Sequence, residues 1–135
     1  MNKLKTLGLH HVALNVFDLD ACANFYKNIF NMKIDWQPDA DNIYLTSGHD
    51  NLALHRIEKC ERERASQRLD HIGFFVESVE AVDQWFLFLT EKKVKIIHEP
   101  KTHRDGTRSL YCADPEGTVV QVIYTGIKYN TPMSS

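Results

Sequence analysis

The motif Leu9-His10-His11-Val12 returns 60 residues later as Leu69-Asp70-His71-Ile72, and its surroundings return with it. The same offset pairs Val16 with Val76, Leu19 with Val79, Ala21 with Ala81 and Phe25-Tyr26 with Trp85-Phe86. Further on, Leu54-His55-Arg56-Ile57 meets Val120-Gln121-Val122-Ile123 at an offset of 66. One change of offset is the mark of one loop insertion in a duplicated module. A repeat of this kind limits the fold more than composition does, because whatever one copy builds the other must build too.

Each copy reads as a strand, a helix and three further strands. His11 to Val16 alternates apolar and mixed residues, a strand signal. Asp18 is placed to cap a helix over about Leu19 to Phe30, and Ser78 one over about Val79 to Glu91. Asn31 is suited to close the first helix in the left-handed conformation. Strands are expected near Lys33–Trp36, Ile43–Thr46 and Leu52–Ile57, then near Val94–His98, Ser109–Ala113 and Thr118–Thr125. Gly48-His49-Asp50-Asn51 and Asp114-Pro115-Glu116-Gly117 are the matching hairpin turns. The charged stretch Glu58 to Arg68 reads as a linker, and Tyr129 to Ser135 as a frayed tail. The class is α+β, with repeat modules at 7–58 and 68–126 inside one domain of 135 residues.

Residues two apart on a strand share a face. Val12, Leu14 and Val16 therefore oppose His11, Ala13 and Asn15, and Ile72, Phe74 and Val76 oppose His71, Gly73 and Phe75. The apolar sets should take the helices, which leaves His11 and His71 on the helix-free faces. The module-ending strands add His55 and Gln121 to the same side. Three imidazoles and one amide oxygen at repeat-related positions suit a divalent ion such as Zn, Ni, Mn, Fe or Co, with remaining positions open to water or substrate. His10 is expected on the face opposite His11, and His49, His98 and His103 in solvent.

A second polar concentration runs from Lys101 to Tyr111. It reads either as a solvated hairpin loop or as a substrate clamp, in which Lys101, Arg104 and Arg108 meet an anionic group while Ser109 and Tyr111 face one way. A formal charge of −2 supplies no basic field for a phosphate backbone, so nucleic acid is not an expected partner. Apolar runs fall short of the roughly 20 residues of a membrane helix, and the first residues lack the apolar core of a secretory signal. Cys22, Cys60 and Cys112 are an odd number without close spacing, which reads as three structural thiols in a reducing cytoplasm.

Leu9 to Leu14, Phe25-Tyr26 with Phe30-Asn31-Met32, Leu69 to Ile72, and Asp114 to Gly117 before Val119-Val120-Gln121 together resemble the glyoxalase, bleomycin-resistance and extradiol-dioxygenase superfamily. The resemblance implies paired βαβββ modules, a cupped mixed sheet with the helices outside, a homodimer and a divalent metal. It puts His11 and His71 on the family's first-strand ligand positions and His55 and Gln121 on the last-strand positions. Lys101 to Tyr111 also resembles the loop of fosfomycin-resistance thiol transferases, with Ala13 standing where those enzymes have a threonine. Gln121 stands where a glutamate is usual. A neutral amide disfavours both a two-His-one-carboxylate ferrous site and proton abstraction by that side chain, leaving Tyr111 or Asp50 as replacement acids or bases. The expectation is an enzyme acting on a small, oxygen-rich, chelating and anionic substrate, by isomerase, lyase, thiol-transferase or dioxygenase chemistry. The alternatives are a metal-free binding protein of the bleomycin-resistance type or a degenerate dimeric scaffold.

Overall fold

The computed structural model describes residues 5, 10–59, 69–104 and 106–125, and the chain divides into two compact units, Met1–Ile57 and Glu58–Ser135. Cys60, most of the expected linker and the expected frayed tail lie outside the described residues.

In the first unit, β1 (Val12–Val16) leads into α1 (Leu19–Ile29), β2 (Lys33–Asp39), β3 (Asn42–Thr46) and β4 (Leu52–Arg56). In the second, β5 (Ile72–Phe75) leads into α2 (Val79–Glu91), β6 (Lys95–Thr102), β7 (Arg108–Ala113) and β8 (Val119–Tyr124). Each unit forms a four-stranded mixed sheet, ordered β1-β4-β3-β2 and β5-β8-β7-β6, with only the first and last strands parallel. The expected α+β class and the βαβββ order are what the chain adopts.

Local chemistry explains the helix ends. Asp18 Oδ1 accepts from the Ala21 N–H and Ser78 Oγ from the Ala81 N–H, each at 3.0 Å, so both caps satisfy a donor the first turn leaves orphaned. Asn31, at φ 57°, closes α1 as its sequence suggests, and Lys93 does the same for α2 at φ 60°. The alternation holds on β1 and β5, whereas on β4 Leu52, Ala53 and Leu54 are all buried and on β7 Ser109 is buried beside Leu110. Leu14, Val16, Leu52 and Leu54 are buried in the first unit, and Leu110, Val120 and Val122 in the second, while His11, Ala13 and Asn15 are exposed. Cys22 and Cys112 are fully buried.

β2 and β6 extend further than their residue pattern suggests, and both run through a proline, Pro38 and Pro100. A proline cannot donate to a ladder, which is why it reads as a strand end. Both strands lie at a sheet edge, where one side of the backbone needs no partner, and both carry register shifts against their neighbours. The extension of β6 moves Lys101 out of the expected long loop and into register with Ser109.

Candidate functional site

On the first unit, the helix-free face carries His11, Asn51, Tyr44, Asn42 and His55. Asn15 pairs with His55 across β1 and β4, while Asn42 pairs with His55 and Tyr44 with Ala53 across β3 and β4. His55 is half-buried, and its Nδ1 lies 2.6 Å from Asn42 Oδ1. The Tyr44 ring meets His55 edge-on at 5.8 Å and stacks on Trp36 at 5.3 Å. A cleft of about 270 Å³ opens beside them, lined by His10, His11, Asp35, Trp36, Tyr44 and Asn51.

His10 departs from its expected place. Its Nδ1 sits 2.9 Å from His11 Nδ1 with the rings edge-to-face, so the two histidines share one cleft rather than opposite faces. The cause is that regular strand geometry starts at Val12, one residue later than expected, and the two-residue alternation does not govern the approach to it.

On the second unit the corresponding face is organised around Tyr111. Its ring receives His71 and His98 edge-on, each at 5.5 Å, and its hydroxyl lies 3.0 Å from Gln121 Nε2, which donates to it. His71 Nδ1 is 2.6 Å from Asp70 Oδ2. A carboxylate only accepts, so His71 Nδ1 carries the hydrogen of this contact, and in a neutral ring Nε2 would be bare. A Cβ at Gly73 would lie 3.6 Å from Gln121 Oε1, an ordinary contact, so this position borders Gln121 without having to be glycine to admit it. Thus His71, Tyr111 and Gln121 are brought together as their alternation suggests. His98, expected in solvent, is exposed but also joins them through the Tyr111 ring.

The expected clamp is only partly assembled. Lys101 pairs with Ser109 and is exposed, and Arg104 is exposed in the turn that follows. Ser109 is buried, with its Oγ 3.2 Å from His103 Nε2. Arg108 belongs elsewhere. Its guanidinium donates to Asp83 Oδ1 on α2 at 2.7 and 3.1 Å and to Thr102 Oγ1 at 2.9 Å, which ties it to the helix side of the sheet. Strand alternation explains this, since Arg108 shares its face with the buried Leu110 and Cys112 rather than with Tyr111. Asp50 likewise serves its turn, accepting from the Ser47 N–H at 2.7 Å.

The residues that pattern reading passed over are Asn42, Asp70, Trp36, Tyr44, His10 and His98. Asp70 could have been found as a carboxylate beside a candidate ligand; the others depend on strand register. Among the described residues, no group of three or more His, Cys, Asp or Glu side chains is arranged to hold a metal ion. Each unit by itself contributes two of the four expected donors.

The sequence model of the Glyoxalase/Bleomycin resistance protein/Dioxygenase superfamily matches residues 8–122. Metallothiol transferase FosB of Staphylococcus epidermidis is 29% identical over 126 residues, an alignment covering 91% of this chain and 84% of that protein. The crystal structure of a lactoylglutathione lyase from Agrobacterium tumefaciens matches with a TM-score of 0.73 at 21% identity, covering 88% of this chain and 94% of that one. An integron cassette protein from the mobile metagenome of the Halifax Harbour sewage outfall matches with a TM-score of 0.72 at 25% identity, covering 88% and 99%. At 21% identity the likeness to the lyase is one of fold.

Proposed function

Because this chain belongs to the glyoxalase, bleomycin-resistance and dioxygenase superfamily, we propose that it is a metal-dependent enzyme acting on a small, oxygen-rich, anionic substrate. His11, His55 and His71 would hold a divalent ion through Nε2, with Gln121 Oε1 as a neutral fourth donor. The observation that carries this reading is that His55 and His71 each direct Nδ1 to an oxygen acceptor at 2.6 Å, Asn42 Oδ1 and Asp70 Oδ2, which turns Nε2 of a neutral ring toward a ligand, while His11 Nδ1 lies 2.9 Å from His10 Nδ1. The donor set fits Zn, Ni, Mn, Fe or Co, for which imidazole is a good ligand.

When bound, such an ion polarises substrate oxygens and acidifies water. The chain's own groups supply the rest. Tyr111, whose hydroxyl accepts from the Gln121 amide, keeps its own O–H free to donate to a substrate oxygen. Lys101 and Arg104, both exposed, would attract and orient an anionic substituent. Arg108 is held by Asp83 and has no part in this clamp. The four proposed donors include no carboxylate to take a proton, so isomerisation through such a base is disfavoured. Thiol transfer is the reaction to test first, given the activity named for the curated relative. No helix among the described residues is long and apolar enough to cross a membrane, and a cytoplasmic homodimer is part of the proposal.

The experiment is elemental analysis and metal titration of protein purified without chelator or metal-affinity tag. Wild type should hold about one divalent ion per site, and the His11→Ala/His71→Ala double variant should lose it. Equal metal content in the two proteins refutes the assigned ligands. If neither holds an ion and Mn, Fe, Co, Ni and Zn all fail to bind, the better reading is a ligand-sequestering protein. The aromatic cleft lined by Trp36 and Tyr44 favours that second reading.

A further inference from the structure

We infer that Asn42 is a positioning residue for His55: anchored by the Asp39 carboxylate, its amide fixes the His55 ring in the tautomer with hydrogen on Nδ1 and a bare Nε2. The use of that nitrogen rests on the metal-site reading above; the tautomer itself does not.

The assignment follows from which atoms can donate. Asp39 accepts from the Asp41 N–H at 2.8 Å and from Asn42 Nδ2 at 2.9 and 3.2 Å on its two oxygens. These donors hold the Asp39 carboxyl below its ordinary range, the Asp41 N–H foremost, so it is ionised and can only accept. The nitrogen end of the Asn42 amide must therefore face Asp39, which turns the carbonyl oxygen toward His55. That oxygen also only accepts. The 2.6 Å contact then requires the hydrogen to stand on His55 Nδ1. In a neutral ring, Nε2 is left as the lone-pair nitrogen. Free histidine in water prefers the other tautomer, so this one needs a partner to maintain it.

The strand register makes this a property of the module. Asn42 is the cross-strand partner of His55 on β3 and β4, and Tyr111 is the cross-strand partner of Gln121 on β7 and β8. In both units the last-strand group is held by the residue opposite it, at 2.6 Å in one and 3.0 Å in the other. Side chains directly opposed on adjacent strands are close enough for such a bond without any loop to bring them together.

The test uses metal-free, 15N-labelled full-length protein at mildly alkaline pH, with long-range ring correlations assigned through a His55→Gln variant. Wild-type His55 should carry its hydrogen on Nδ1. Asn42→Ala should move it to Nε2 and weaken Zn binding roughly tenfold to a hundredfold, the usual effect of losing an outer-shell partner. Asn42→Asp, which keeps an acceptor oxygen, should restore the Nδ1–H form. Asp39→Ala should give a mixture, because the amide can then flip. Hydrogen on Nε2 in wild type, or an unchanged tautomer in Asn42→Ala, overturns the inference. A tautomer that responds as expected in a protein whose Zn affinity is untouched by His55→Gln upholds the inference and sinks the metal reading instead.

Discussion

Cys112 gives a prediction whose size can be worked out. It lies on β7 with no exposed surface, flanked by Ile96 and Val120 on the neighbouring strands. Burial, and then the Asp114 carboxylate two residues on, push its thiol from 9.0 up to about 12. Unfolding returns the thiol to water, where it ionises near its ordinary value. Below about pH 9 both states keep the proton, and Cys112 adds no pH dependence. Above that, the unfolded chain loses a proton that the folded chain retains, so stability falls by about 1.4 kcal/mol per pH unit toward pH 12. Between about pH 9 and pH 10.5 the loss attributable to this thiol is roughly 2 kcal/mol. The assay is urea unfolding across that range for wild type and Cys112→Ala, both under reducing conditions. The cavity left by the substitution lowers stability by an amount independent of pH, and other titrating groups cancel in the difference. The difference between the two proteins should therefore shrink by roughly 2 kcal/mol as pH rises. Parallel curves would refute the reasoning and mean that the folded thiol ionises as readily as the unfolded one.

Asp114→Ala should cost roughly 2–4 kcal/mol by urea unfolding, because its buried carboxylate accepts from the Glu116 and Thr118 N–H groups at 2.9 Å each; a loss under about 1 kcal/mol contradicts this. Arg108→Met should cost at most about 1 kcal/mol, since the side chains of Arg108 and Asp83 are 21% and 51% exposed and water screens the pair; metal affinity should not move. Gln121→Glu should tighten Zn binding at least tenfold, about 1.4 kcal/mol, by supplying an anionic donor that Tyr111 can still hydrogen-bond. Competition titration that finds Zn affinity unchanged in Gln121→Glu would remove Gln121 from the donor set.

Much of the architecture was legible in the residues because its causes are local. Helix caps at Asp18 and Ser78, the left-handed close at Asn31 and the alternating faces each depend on a few consecutive side chains. The repeat added long-range information, since it doubled every local signal and placed His11, His55, His71 and Gln121 at corresponding positions. Tertiary structure alone decided which groups touch. Asn42 reaches His55, and Tyr111 gathers His71, His98 and Gln121, through cross-strand register that residue patterns do not encode. Arg108 turned to Asp83 because α2 covers its face of β7, and His10 joined His11 because the chain is not yet a strand there. Periodicity states which side a residue faces; its partners come from segments distant in sequence, and only packing chooses them.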